Sequence, residues 1–89
     1  MTRLETEAID AALENLDEWS RVGDTIQRTF GFDGFLDAMA FVSRVAELAE
    51  ERQHHPDILI RYNRVTLTLS THDAGGVTEK DISMAAVIE

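Results

Sequence analysis

The chain has 89 residues, 44% hydrophobic and 28% charged, a composition that describes one globular domain spanning residues 1–89. Seventeen acidic against eight basic side chains give a formal net charge of -9, and with no basic cluster to offset it this argues against direct nucleic-acid binding. The absence of cysteine excludes a disulfide framework and a thiolate metal site. No apolar run approaches the ~18 residues needed to cross a bilayer, and the N-terminus lacks a basic-then-apolar signal segment, so a soluble cytoplasmic protein is expected.

A first helix is expected from about Leu4 to Asn15. Thr2 followed by Glu5 has the spacing of a capping box, and Leu4, Ala8, Ala11 and Ala12 return at helical intervals. Two short strands follow, Trp19 to Val22 and Thr25 to Phe30, around the turn pair Gly23-Asp24. Trp19 reads as a core or interface residue.

The longest helix is expected from Phe35 to Arg52, capped by Asp33 or Gly34. Its apolar stripe runs through Phe35, Met39, Val42, Val45/Ala46 and Ala49, widened by Phe41 and Leu48. Pro56 cannot extend it, which leaves His54 and His55 at the helix exit. A second hairpin joins Ile58–Tyr62 to a strand in which Val65, Leu67 and Leu69 alternate with Thr66, Thr68 and Ser70, and Tyr62 reads as core. Gly75-Gly76 break the chain before a last helix, where Thr78 and Asp81 form a second capping box. The order helix, strand, strand, helix, strand, strand, helix describes an α+β fold, a four-stranded antiparallel sheet with three helices on one face. Subunit contacts would then come from exposed sheet edges or helix surfaces, and a small domain of this kind, burying only ~60% of its unfolded surface, gains from oligomerising.

All three histidines of the chain fall late in the sequence, as His54-His55-Pro56 and His72. Histidine exchanges protons near neutral pH, so this grouping beside Glu50 and Asp81 points to acid–base chemistry. Adjacent histidines diverge by ~100° on a helix and point to opposite faces on a strand, which suits no shared metal ion, and no metal site is expected. Glu50 lies four residues before His54, where a continuing helix would place carboxylate and imidazole side by side. Alone, Glu50 reads as one more solvated acid in a run with Glu47 and Glu51, and Asp81 as a helix cap able also to pair with His72.

The spaced line Glu50, His54-His55-Pro56, Tyr62, His72 and Asp81 resembles the signature of the pterin-4a-carbinolamine dehydratases. The segments Tyr62-Asn63-Arg64-Val65 and Thr71-His72-Asp73-Ala74-Gly75-Gly76-Val77-Thr78 strengthen the resemblance, while Gln53 and Ile58 stand where that family often has an acidic and an aromatic residue. The resemblance implies the fold described above and loss of water from a 4a-hydroxytetrahydropterin to give the quinonoid dihydropterin, which recycles the cofactor of aromatic amino-acid hydroxylases. It implies no metal or added cofactor, and a homodimer or homotetramer. By resemblance, His54 is the principal acid–base residue with Glu50 orienting it, His55 binds and polarises the pterin and shares in proton transfer, and His72, held by Asp81, protonates a hydroxyl leaving from the opposite face. His55, Ser70, Thr71 and Asp73 would contact the substrate.

Two further functions compete with this one. Animal members of that family also act as dimerisation cofactors of a homeodomain transcription factor through a helical face, a role that exposed apolar positions on the 35–52 helix would favour. A dehydratase for another pterin is the other. A metal-binding module is the remaining option.

Overall fold

The computed structural model describes residues 2–88. In chain order it contains α1 (Thr6–Leu13), β1 (Ser20–Val22), β2 (Thr25–Gly31), α2 (Phe35–Arg52), β3 (Asp57–Arg61), β4 (Arg64–Leu69) and α3 (Glu79–Val87), with a 3-10 turn at His72–Ala74 before α3. The four strands form one antiparallel sheet in the order β1-β2-β4-β3. This is the α+β arrangement expected from the alternation of patterns.

The register explains which face the helices cover. Ile26 lies opposite Leu69, Arg28 opposite Leu67 and Phe30 opposite Val65, and because side chains alternate along a strand all six share one face. Five of them are buried, in one cluster with Ile9 of α1, Ala38, Phe41, Val45 and Ala49 of α2, and Met84 and Ala85 of α3. Arg28 is the polar member of that face, and its guanidinium carbon lies 4.2 Å from the Phe30 ring centroid. Phe41 stacks between Phe30 and Phe32 at 4.6 and 5.1 Å, and Trp19 meets Phe30 edge-on at 6.3 Å. Trp19 is therefore core.

The opposite face carries Thr25, Gln27, Thr29, Thr66 and Thr68. Two pairs of these side chains bond across β2 and β4, Thr29 to Thr66 at 2.8 Å and Gln27 to Thr68 at 3.2 Å. Among the described residues no helix is long and apolar enough to cross a membrane.

Four local expectations are corrected. The first helix begins at Thr6 rather than Leu4, and no side-chain cap forms at Glu5, its N-cap. The Leu4 amide instead donates to the Val77 carbonyl at 2.8 Å, which holds this segment extended. The helix also stops at Leu13, two residues before Asn15. On α2 the buried line is Ala38, Phe41, Val45 and Ala49; the last three belong to the expected stripe, and Val42 and Leu48 pack partly against the core, but Phe35 and Ala46 are exposed and Ala38 takes a place the stripe did not include. Tyr62 is not core: it occupies the β3–β4 turn with a φ of 54° and is 68% exposed.

Candidate active site

The end of α2 determines where the paired histidines go. Gln53 caps the helix in the left-handed conformation, with a φ of 53°. Its amide donates to Glu50 O at 3.3 Å and its side-chain Nε2 to the same carbonyl at 2.7 Å, while the His54 amide donates to Ala49 O at 3.1 Å. These bonds satisfy carbonyls that the helix end would otherwise leave open. The chain therefore turns sharply after Arg52, and His54 leaves the helical path before Pro56 would have ended it.

That turn carries the His54 ring to the start of α3. Nε2 of His54 lies 2.5 Å from Oδ1 of Asp81. Asp81 is fully buried, and Oδ2 accepts from the Thr78 amide at 2.9 Å and from the Thr71 hydroxyl at 2.8 Å. The Thr78 side chain accepts in turn from the Lys80 amide, completing the capping box expected from the sequence.

Proton directions follow from this count. An ionised carboxylate only accepts, so Thr71 donates to Asp81. The 2.7 Å contact between the Thr71 and Thr78 hydroxyls then runs from Thr78 to Thr71. By the same reasoning His54 donates through Nε2, and in the neutral ring Nδ1 holds the lone pair. A buried carboxylate with donors on both oxygens fixes the ring's orientation and tautomer.

The second histidine is held differently. Nε2 of His55 lies 2.5 Å from Oε2 of Glu50, and both side chains are largely exposed. His72 begins the 3-10 turn and is exposed, as is Asp73 beside it. An open cleft of about 300 Å³ is lined by Gln53, His54, His55, Ser70, Thr71, His72, Asp73 and Lys80. All three histidines and all the expected substrate contacts, His55, Ser70, Thr71 and Asp73, are thus brought together.

The pairings differ from those expected. Glu50 meets His55 rather than His54, because the left-handed Gln53 ends the helical spacing that would have aligned residues four apart. Asp81 holds His54 rather than His72. Tyr62 does not line the cleft, since it lies at the far end of β3 from the histidine pair. Lys80 is a lining residue that the sequence reading passed over, and the available signal was that it is the sole lysine of the chain.

With this geometry in place, comparison with known proteins is decisive for the family. The family model for pterin 4 alpha carbinolamine dehydratase matches residues 2–89. The chain belongs to the pterin-4a-carbinolamine dehydratase family. A family member from Thermomicrobium roseum, provisionally named pterin-4-alpha-carbinolamine dehydratase, is 58% identical over 85 residues, covering 96% of this chain and 91% of the relative. Among solved dehydratase-family structures, one described as a transcriptional coactivator/pterin dehydratase from Brucella Melitensis superposes with a TM-score of 0.93 at 42% identity, covering 98% of this chain and 95% of that one. A pterin dehydratase-like protein described as a RuBisCO assembly factor in the alpha-carboxysome is more distant, with a TM-score of 0.64 at 25% identity over 79% of this chain and 81% of that one. The pterin dehydratase fold is therefore found with more than one described role.

Proposed function

We propose that this single-domain protein eliminates water from a 4a-hydroxytetrahydropterin, 4a-hydroxytetrahydrobiopterin in the first instance, to give the quinonoid dihydropterin in cytoplasmic cofactor recycling. The observation that carries the reading is the His54 ring held by buried Asp81 at the wall of a cleft that two further histidines line. The elimination breaks the C4a–O bond as the hydroxyl gains a proton, and forms the C4a=N5 bond as N5 loses one. The step is redox-neutral and asks only for an acid and a base near neutral pKa on either side of the ring, each typically worth ~10²–10⁴-fold.

In this scheme His54 is the principal acid–base residue, exchanging its proton through Nδ1 while Asp81 holds Nε2. His55, backed by Glu50, binds and polarises the pterin. His72 protonates a hydroxyl that leaves from the other face, and Ser70, Thr71 and Asp73 line the ring edge. The active species is a homodimer or homotetramer. The test is the dehydration rate of chemically generated 4a-hydroxytetrahydropterin, followed by absorbance. Wild type accelerates it and His54→Ala does not; equal rates with and without wild-type protein would overturn the assignment.

The interaction-cofactor reading draws less support from α2. Its exposed side bears Ser43, Arg44, Glu47, Glu51 and Arg52, and large apolar exposure is confined to Phe35 and Leu36 in the first turn.

A further inference from the structure

We infer that Arg3 is a positioning residue for the cleft: anchored on Asp24, it straps down the turn from Thr71 to Gly76 and so fixes where His72 and Asp73 stand. The inference rests on the cleft being the substrate site, as proposed above. Neither Arg3 nor Asp24 lines that cleft.

The turn is closed by its own backbone. Thr71 and Gly76 pair as an isolated antiparallel bridge, with the Thr71 amide donating to the Gly76 carbonyl at 2.8 Å. The amides of Ala74 and Gly75 donate to the Thr71 carbonyl at 3.1 and 3.0 Å. Between these ends stand His72 and Asp73, both exposed. Among the described residues neither side chain makes a hydrogen bond or an ion pair. Their places are therefore set by the backbone of the turn. At one end of it the Thr71 hydroxyl is tied to Asp81 and Thr78.

The other end is tied by the N-terminal segment. The Leu4 amide donates to the Val77 carbonyl, and the Arg3 side chain lies across Gly76. A β-carbon on Gly76 would stand 2.9, 3.0 and 3.2 Å from Nε, Cδ and Cγ of Arg3, and these are the three atoms nearest to it. Gly76 is buried and, unlike Gly75 with its φ of 75°, does not take a positive φ. The arginine above it, and not its backbone conformation, explains why the position suits glycine. Past Gly76 the guanidinium donates to Oδ1 of Asp24 at 2.9 Å, in the turn of the first hairpin. Both partners are largely exposed, so the pair adds little to global stability. Its consequence is local, because it joins the β1–β2 hairpin to a turn that three of the cleft-lining residues, Thr71, His72 and Asp73, occupy.

Two readouts test this. In steady-state kinetics with the 4a-hydroxytetrahydropterin, Arg3→Ala should raise KM roughly fivefold and leave kcat within about twofold, which marks lost binding rather than lost chemistry. Asp24→Ala should do the same from outside the cleft. Gly76→Ala pushes the flexible arginine aside, so it should match Arg3→Ala, and the double variant should be no worse than either single. Hydrogen exchange is independent of the chemistry: in Arg3→Ala the Thr71 amide should exchange roughly threefold to tenfold faster, with the amides of β2 and β4 unchanged. An inactive wild type would overturn the proposed function, and exchange at Thr71 alone would then decide the strap. An unchanged KM or unchanged Thr71 exchange in Arg3→Ala, effects that multiply in the double variant, or faster exchange spread equally over β2 and β4 would each overturn the inference.

Discussion

His54 and Asp81 are 27 residues apart in sequence and are joined by a 2.5 Å contact that ties the exit of α2 to the first turn of α3. Asp81 serves two structures at once. One oxygen holds the histidine, while the other receives the Thr78 amide and the Thr71 hydroxyl.

Asp81→Ala should therefore damage both stability and turnover. It leaves buried donors without an acceptor and removes a helix cap, which together should lower the unfolding free energy by ~2–4 kcal/mol. Urea denaturation measures this, and an unchanged midpoint would show that the network contributes little. Asp81→Asn keeps the volume but replaces one acceptor oxygen with a donor, so turnover should fall while the loss of stability is smaller.

The two adjacent histidines should separate in their effects. His54→Ala is expected to reduce kcat by ~10²–10⁴-fold with the fold retained. His55→Ala, whose ring is exposed, should act more through KM. Steady-state kinetics of both variants with the same pterin decide this, and equal losses in kcat would show that the two rings share the proton transfer.

Glu50→Gln should be mild. The Glu50–His55 pair is solvent-exposed, with side-chain exposures of 73% and 54%, so its loss should change stability by less than ~0.5 kcal/mol. Turnover should fall by no more than ~10-fold. A loss as deep as that of His54→Ala would place Glu50 in the chemistry itself.

Tyr62→Gly should stabilise the protein. The tyrosine occupies a left-handed conformation at 68% exposure, so little packing is lost and the backbone strain of a side chain there is removed. A gain of ~0.5–1 kcal/mol, read as a raised Tm, is the expected outcome.

Much of this was legible in the sequence because it depends on short-range signals. Gly34 and the exit before Pro56 bound α2, Gly23-Asp24 marks the first hairpin, and Thr78 with Asp81 announces the α3 cap. The unreadable parts depend on contacts that spacing does not encode. Thr2 and Glu5 have capping-box spacing, yet Leu4 uses its amide on Val77, far along the chain. Ala38 belongs to the buried face of α2 but carries too little hydrophobic weight to reveal its place there. Gln53 is the decisive case: its left-handed turn reassigns both carboxylates among the histidines, and glutamine is not a residue type that signals such a turn.

Because Asp81 is both a helix cap and the anchor of His54, the lifetime of the assembled site is the lifetime of one helical turn. Helix ends are where local opening is easiest. Each fraying event at the start of α3 withdraws the carboxylate from His54, Thr71 and the Thr78 amide together. Hydrogen exchange at that amide therefore keeps time for the histidine, and a ligand that orders the cleft should slow it.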